Sequence, residues 1–287
     1  MNKLVICVIL LMFSSLNLAK AKPFSIERSQ VRTITSRDGE REYQLFIKTP
    51  RSYSSDKNKN YPLIFLNDGS YSFPLVSSIT RQMSGGGVIE EPIIIGISYD
   101  KKTSWDISRT RDYTPTKSLN EEQRHSDEAR KMSGGAAEYL LFIEKELLPY
   151  LRKEFRINTQ KEIYAGHSFG GLFGGFILKS NPEVFDYYIL SDPSFWYHKG
   201  SIFDIKHESS LKELHVIVFS QGKPDGDKAN NCVQCMAKNA MRFSKILEQE
   251  LPKATVDFYA SKSEIHETIF PTAISQGLIR FLGKQGE

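Results

Sequence analysis

The chain has 287 residues, of which 40% are hydrophobic and 25% are charged, and its formal net charge is +4. The first 21 residues carry two lysines and no acid, so the remaining chain has a net charge of +2. This near-neutral balance, with no long basic run, argues against a role in binding nucleic acid or a membrane surface.

The first 21 residues have the pattern of an export signal. Lys3 gives a positive start, an apolar run of ten residues extends from Leu4 to Phe13, and Ala19 and Ala21 supply the small residues that a signal peptidase reads. The run is too short to span a bilayer, and no cysteine stands at the cleavage point. We therefore predict a signal peptide over residues 1–21, one α/β domain over 22–287, and a periplasmic or secreted protein without a membrane anchor.

Short apolar runs predict the strands. Two alternating segments, 31–36 and 43–49, flank a turn and predict an antiparallel hairpin. The later runs are continuous and rich in β-branched residues, which is typical of buried parallel strands; they lie at 63–66, 92–98, 163–165, 187–190, 216–219 and 256–259. The charged, irregular stretch 100–133 is interpreted as a long functional loop.

Helical periodicity appears between these runs. Apolar residues recur at helical spacing over 136–155, and further helices are predicted at 171–178, at 237–251 and at 271–282. Strands that alternate with helices predict a doubly wound, mostly parallel sheet that begins with the antiparallel hairpin.

A G-x-S-x-G sequence runs from Gly166 to Gly170. An apolar strand precedes it and a segment rich in small residues follows it, which is the strand–turn–helix context of a nucleophile elbow. Glycines at both ends have no side chain that would clash with the neighbouring strand and helix around the strained turn. We predict Ser168 as the nucleophile.

A serine hydroxyl needs an imidazole to take its proton, and the imidazole needs an acid to hold its tautomer. In a nucleophile-elbow fold the acid and then the histidine follow the serine along the chain, each after a strand. Among the downstream histidines, His215 begins a predicted strand, and His198 and His207 lie in a polar loop. His266 alone lies between the last predicted strand and the last predicted helix. His266 is therefore the predicted base, and His167 is expected to point away from the site.

Three aspartates are candidates for the acid. The loop after the strand at 216–219 offers Asp225, which we prefer, and Asp227 as the second candidate; Asp192, after the preceding strand, is the third. Each of them is equally suited to an ordinary turn.

Backbone N–H groups must bind the oxyanion that forms during acyl transfer. One is expected from Phe169, directly after the nucleophile. The second is expected from the loop after the strand at 63–66, at Gly69 or Ser70. This chemistry needs no metal and no cofactor.

Two cysteines remain once Cys7 is removed with the signal peptide. Cys232 and Cys235 form a C-x-x-C pair, which in an exported protein favours a short structural disulfide. A zinc site needs two further ligands nearby, and the sequence supplies neither an H-x-H pattern nor a second C-x-x-C. We therefore predict a disulfide and no metal.

Several motifs in order resemble the putative-esterase (esterase D-like) family of α/β-hydrolases, closest to its trilactone siderophore esterase branch. The resemblance covers roughly residues 31–283 and is carried by Asn67-Asp68-Gly69, Arg109-Thr110-Arg111-Asp112-Tyr113-Thr114-Pro115, Gly134-Gly135-Ala136-Ala137-Glu138, Gly166 to Gly171, Asp192-Pro193-Ser194-Phe195-Trp196-Tyr197 and His266-Glu267-Thr268. The family's acid is usually a glutamate three residues after a glycine, a spacing that Gly222 and Asp225 match with aspartate instead. The Asp192-Pro193-Ser194 sequence also departs from the family's usual Ser-Pro-Ser.

The resemblance implies that an arginine of the R-x-R-x-Y-x-P segment faces the active site. That residue is Arg109, with Arg111 as the alternative, and its guanidinium would either grip a catecholate or carboxylate oxygen of the substrate or pair with Asp106 or Asp112. Trp196 and Trp105 are candidates for an aromatic pocket wall, although tryptophan is more often simply buried.

These features predict a serine esterase that acts on a small-molecule ester, with a siderophore ester or lactone as the leading substrate. A short-acyl or feruloyl-type carboxylesterase, an acyltransferase and an inactive binding protein on the same fold are the alternatives. The sequence does not distinguish water from an alcohol as the acyl acceptor, and it gives no oligomeric state.

Overall fold

The computed structural model describes residues 23–119, 125–206, 210, 212–223 and 235–284. These residues form an eight-stranded sheet with the strand order β1-β2-β4-β3-β5-β6-β7-β8. The strands are β1 (Ser29–Thr35), β2 (Glu42–Lys48), β3 (Tyr61–Leu66), β4 (Ile93–Ile97), β5 (Ile157–His167), β6 (Tyr187–Ser191), β7 (Leu214–Gln221) and β8 (Ala254–Ser261). β2 is antiparallel to β1 and to β4, and all other pairs are parallel, which confirms the predicted α/β-hydrolase architecture and its N-terminal hairpin.

Helices cover both faces of the sheet. They are α1 (Gly69–Gly85), α2 (Trp105–Tyr113), α3 (Asp127–Met132), α4 (Ala136–Phe142), α5 (Leu148–Glu154), α6 (Phe169–Ser180), the short α7 (Tyr197–Gly200), α8 (Met236–Glu250) and α9 (Ile269–Leu282). A π-helical turn over Ile143–Leu147 joins α4 to α5, so that the predicted helix at 136–155 is continuous. No helix within the described ranges is both long and apolar enough to cross a membrane.

The central strands separate two apolar layers. Successive residues of β3 alternate between them, because neighbouring side chains of a strand point to opposite faces. Leu63 and Phe65 belong to the layer that packs on α4, α5, α6 and α8, whereas Ile64 and Leu66 belong to the layer under α1 and α9. Burial on both faces explains why these strands are continuous apolar runs in the sequence.

The stretch 100–133, interpreted from sequence as an irregular loop, contains two helices instead. α2 begins after Ser104, whose side chain accepts a hydrogen bond from the Ile107 amide, and α3 begins after Ser126, which accepts one from the Ala129 amide. Serine caps of this kind stabilise short helices whose apolar periodicity is weak. α1, which is rich in serine and contains Pro74, was also not predicted.

Candidate active site

Ser168 lies in the turn between β5 and α6. Its backbone has a φ of 58° and a ψ of −116°, a strained conformation for a residue with a side chain. Gly166 permits the tight turn, because a Cβ atom at that position would lie 2.3 Å from the carbonyl oxygen of Gly170. Ser168 therefore lies in a strained turn between a strand and a helix, as the glycines predict.

The backbone around Ser168 is fixed by the next strand and the loop after it. The Ser168 amide donates to the Ser191 carbonyl at 3.0 Å, and the Ser168 carbonyl accepts from the Ser194 amide at 3.1 Å. The Ser168 hydroxyl lies 3.3 Å from the Ser194 hydroxyl. In the described part of the chain no hydrogen bond joins Ser168 to His266, and such bonds commonly tighten only when substrate binds.

His266 lies in the loop between β8 and α9 and is paired with Asp192. Its Nδ1 atom is 2.6 Å from Oδ2 of Asp192, which directly follows β6 and is fully buried. The same carboxylate accepts three further hydrogen bonds, from the Ser220 hydroxyl and from the backbone and side-chain nitrogens of Gln221. Asp192 is thereby held as an acceptor for the imidazole.

This pairing favours the third of the sequence candidates over the first. The preferred Asp225 and its alternative Asp227 lie outside the described residues, and the described carboxylate at His266 is that of Asp192. The reason is the strand order: β6 is the neighbour of β5, so the loop after β6 lies directly beside Ser168. Sequence alone does not reveal that adjacency.

His167 also lies at the site, and the expectation that it points away is wrong. Its ring packs against that of His266 with centroids 4.5 Å apart, and its Nδ1 atom is 3.2 Å from the Ser191 carbonyl oxygen. Burial, together with the neighbouring His266, lowers the pKa of His167 to about 4. Since Ser168 leaves the strand at a positive φ, the alternation of side chains along β5 does not carry over to it.

The predicted oxyanion donors are the first residues of two helices. Phe169 begins α6 and Gly69 begins α1, and amides of a first helical turn have no acceptor within the helix. Gly69 is required where α1 starts, because a Cβ atom there would lie 2.7 Å from the carbonyl oxygen of Ile97. The adjacency of β3 and β5 brings the two helix starts to the same edge of the sheet.

Arg109 pairs with neither Asp106 nor Asp112, the two partners considered from sequence. Its Nε and Nη2 atoms lie 2.8 and 3.1 Å from the two carboxylate oxygens of Asp68. Burial lowers the pKa of this guanidinium, but the charge of Asp68 outweighs it and raises the pKa above its ordinary value. Arg111, the alternative, pairs instead with Asp112 and Asp100, at 2.7 and 3.1 Å.

Aromatic rings surround the Phe169 side chain. The ring centroid of Trp196 lies 6.4 Å from that of Phe169, while Trp105 is 61% exposed and packs on Tyr99. His125 packs on Phe169 at 5.0 Å and places its Nδ1 atom 2.7 Å from Asp106. His125 precedes Ser168 along the chain, whereas the expected order places the histidine after the serine, so the sequence does not indicate this residue.

The remaining sequence candidates have other surroundings. His198 contacts the Thr116 hydroxyl at 2.9 Å, and His215 packs on Tyr187. Cys235 is disulfide-bonded. Its predicted partner Cys232, like His207 and the predicted signal peptide, lies outside the described residues.

Comparison with known proteins identifies the family. The family model described as "Putative esterase" matches residues 36–281. The ferri-bacillibactin esterase BesA of Bacillus subtilis is 30% identical over 265 residues, which cover 89% of this chain and 90% of BesA.

Solved structures share the fold. An IroE-like serine hydrolase from Shewanella oneidensis aligns with a TM-score of 0.73 and 25% identity over 88% of this chain and 79% of that one. The BES protein from Bacillus cereus aligns with a TM-score of 0.74 and 24% identity over 93% of this chain and 100% of that one. The chain belongs to the esterase family that the matching model describes, and it is a serine esterase with an α/β-hydrolase fold.

Proposed function

We propose that this protein hydrolyses the ester bonds of a siderophore through an acyl-enzyme on Ser168. The observation that carries the catalytic part is the contact of the half-buried His266 with the buried Asp192, at a distance of 2.6 Å, on the loops that follow strands β6 and β8. The substrate class is supported by BesA, an esterase for ferri-bacillibactin that aligns along nearly the whole chain.

In the first half of the reaction, the Ser168 hydroxyl attacks the ester carbonyl and passes its proton to Nε2 of His266. Asp192 accepts a hydrogen bond from Nδ1–H, which holds the tautomer and stabilises the imidazolium. The amides of Phe169 and of Gly69 or Ser70 bind the oxyanion. The imidazolium then returns the proton to the departing alkoxide, which leaves the acyl group on Ser168.

In the second half, water takes the place of the alcohol. His266 removes a proton from the water as it attacks the acyl carbonyl, and returns a proton to Ser168 when the acid is released. Each step is supported by side chains and amides of this chain, with no cofactor.

Asp192 is the acid of this mechanism, in place of Asp225. Four donors hold its carboxylate, of which His266 is one, so it is fixed in position before the substrate arrives. Trp196 is proposed as an aromatic wall of the acyl pocket, because it packs on Phe169 next to the nucleophile.

We also propose that residues 1–21 are a cleaved signal peptide and that the mature protein, 22–287, is exported as one domain. The motif at Ala19 and Ala21 supports this. N-terminal sequencing of protein from the periplasm or the medium tests it, and an intact Met1 would contradict it.

The experiment that tests the catalytic proposal compares wild type with Ser168→Ala. Wild type should react with a fluorophosphonate probe and hydrolyse p-nitrophenyl esters, whereas loss of the nucleophile should lower turnover by about a million-fold. Ser194→Ala is the matched control, since its hydroxyl lies 3.3 Å from that of Ser168. Ser168→Ala with activity within tenfold of wild type would refute the assignment.

The substrate proposal is tested separately, with a ferric and an iron-free trilactone siderophore beside the p-nitrophenyl esters. We expect kcat/KM for at least one siderophore form to exceed that for short-acyl and feruloyl esters. An enzyme that hydrolyses simple esters and ignores both siderophore forms would be a general carboxylesterase. Transfer of the acyl group to an added alcohol in preference to water would indicate an acyltransferase.

A further inference from the structure

A buried ion pair lies between the two turns that begin α1 and α6. Asp68 directly precedes Gly69, and its side chain is 1% exposed, while that of Arg109 on α2 is 14% exposed. The bidentate contact between them fixes both side chains in one orientation, because a guanidinium and a carboxylate match as two parallel hydrogen bonds.

Asp68 is held by more than Arg109. Its Oδ1 atom also accepts the Tyr99 hydroxyl at 2.8 Å, and its amide donates to the Tyr113 hydroxyl at 3.0 Å. Its backbone has a φ of 54° and a ψ of 40°, the left-handed region that non-glycine residues seldom adopt. These contacts hold the peptide that presents the amide of Gly69.

The same pair reaches the nucleophile elbow. A Cβ atom at Gly170 would lie 3.5 Å from Oδ2 of Asp68. The Arg109 guanidinium lies over the Phe169 ring at 5.4 Å, and its Nη2 atom is 3.5 Å from the His167 carbonyl oxygen. One ion pair therefore contacts both sides of the expected oxyanion hole.

A carboxylate at this position creates an electrostatic difficulty. Negative charge develops on the substrate oxygen in the transition state, and in a buried site a neighbouring anion repels it far more strongly than in water. A positive charge held against that carboxylate removes most of the repulsion. Asp68 is useful to the reaction only while Arg109 neutralises it.

We propose that Asp68 and Arg109 act together as the positioning pair of the oxyanion hole: Asp68 orients the Gly69 and Ser70 amides, and Arg109 joins this turn to the elbow and cancels the Asp68 charge. This inference rests on the proposed Ser168 chemistry. It assigns Arg109 to the hole and not to the substrate grip considered from sequence.

The test is a double-mutant cycle with Arg109→Met, Asp68→Asn and the combined variant, measured with p-nitrophenyl acetate. Arg109→Met leaves a buried carboxylate beside the oxyanion, so kcat should fall at least 100-fold while KM changes less than about threefold. The combined variant lacks that charge, and its kcat should recover at least tenfold over Arg109→Met. Arg109→Lys, which keeps the charge without the fork, should lie between wild type and Arg109→Met.

Arg111→Met is the matched control, because it removes another ion-paired arginine from the same helix. It should change kcat by less than threefold, even if the melting temperature falls as much as in Arg109→Met. A combined variant no more active than Arg109→Met, or a loss confined to KM, would overturn the inference. So would a kcat loss in Arg111→Met equal to that in Arg109→Met.

Failure of the proposed function gives a different result. If wild type neither hydrolyses p-nitrophenyl acetate nor labels at Ser168 with a fluorophosphonate, the catalytic proposal fails and this inference fails with it. If wild type is active and labelled but the double variant shows no recovery, only the role of Asp68 and Arg109 is refuted.

Discussion

Two histidine–aspartate pairs of nearly equal geometry lie on either side of the turn that holds Ser168. His266 Nδ1 is 2.6 Å from Asp192, and His125 Nδ1 is 2.7 Å from Asp106. Each imidazole packs on another ring, His266 on His167 at 4.5 Å and His125 on Phe169 at 5.0 Å. Local geometry alone does not separate them.

The two acids differ in what else they hold. Asp192 directly follows a central strand, is fully buried and accepts from Ser220 and Gln221 at the end of the neighbouring strand. The Asp106 side chain is 19% exposed, lies in the first turn of α2, and accepts from the amide and hydroxyl of Ser126, which caps α3. Asp192 therefore connects the ends of two neighbouring strands, whereas Asp106 connects the helices α2 and α3.

A histidine–aspartate pair is therefore not in itself evidence of a catalytic base. His266 differs in that its loop follows a parallel strand. This loop lies at the edge of the sheet where β5 ends and Ser168 follows. In open α/β sheets the carboxyl ends of the strands are where functional groups meet. The comparison predicts that the first pair affects turnover and the second affects stability.

The largest expected difference is between the two histidines. His266→Ala should lower kcat for p-nitrophenyl acetate by about 10⁶-fold, because loss of a triad base costs nearly as much as loss of the nucleophile. His125→Ala should lower it less than tenfold. Steady-state kinetics of the two variants, with circular dichroism to verify folding, decides the matter, and a His125→Ala loss above 1,000-fold would reverse the assignment.

The acids provide the next test. Asp192→Asn should lower kcat by about 10⁴-fold, because an amide in place of the carboxylate favours the wrong tautomer of the imidazole. Asp225→Asn and Asp227→Asn serve as controls and should each stay within tenfold of wild type. If Asp225→Asn shows the larger loss, the sequence-based preference is right and Asp192 serves only to hold the β7 end.

The sequence was sufficient for the parts of the site that depend on local order. Gly166 to Gly170 predict the turn on which Ser168 sits, and the position of His266 follows from its place between the last strand and the last helix. Both features are short-range and have a known steric cause. The strand order was not available, and on it depend the Asp192–His266 pair and the Asp68–Arg109 contact.

Side-chain direction beyond a strand end was also not predictable. The alternation that places successive residues on opposite faces holds only inside a strand. Ser168 lies in a turn with positive φ, so His167 and Ser168 belong to the same site. The helices α2 and α3 were missed because their apolar patterns are weak, and serine caps mark where they begin.

The pH dependence of stability distinguishes His167, which packs on His266, from Phe169, which packs on His125. His167 has a folded pKa of about 4, against about 6.5 when unfolded, so between these values the unfolded chain binds more protons. The contribution of neutral His167 to the free energy of unfolding is complete above pH 6.5. It is lost as the pH falls to 4, and the loss is at most about 3 kcal/mol. Phe169, under His125, does not titrate.

Urea unfolding of wild type and His167→Phe at pH 7 and pH 5 measures this contribution. The free energy of unfolding should fall less for the variant than for wild type between the two pH values. Ser168→Ala, which shares the turn but removes no titrating group, is the control and should follow wild type. If the free energy of unfolding falls equally for wild type and His167→Phe between pH 7 and pH 5, another group is responsible for the loss of stability in acid.

The smallest expected effect is that of Asp106→Asn, and it tests the other side of the comparison. Burial raises the pKa of Asp106, but the hydrogen bonds from His125 and Ser126 outweigh it and lower the pKa below its ordinary value, so the carboxylate is charged at neutral pH. Asparagine at this position turns a donor toward groups that themselves donate. The free energy of unfolding should fall by about 1 kcal/mol, the usual cost of losing such contacts at a helix start, while kcat should stay within threefold of wild type.

Asp127→Asn is the control, because Asp127 is the first residue of α3 and its side chain is 70% exposed. This substitution should change the free energy of unfolding by less than about 0.5 kcal/mol. A kcat loss of tenfold or more in Asp106→Asn, at unchanged stability, would mean that the second pair contacts the reacting groups, and the distinction drawn from strand ends and helix starts would be wrong.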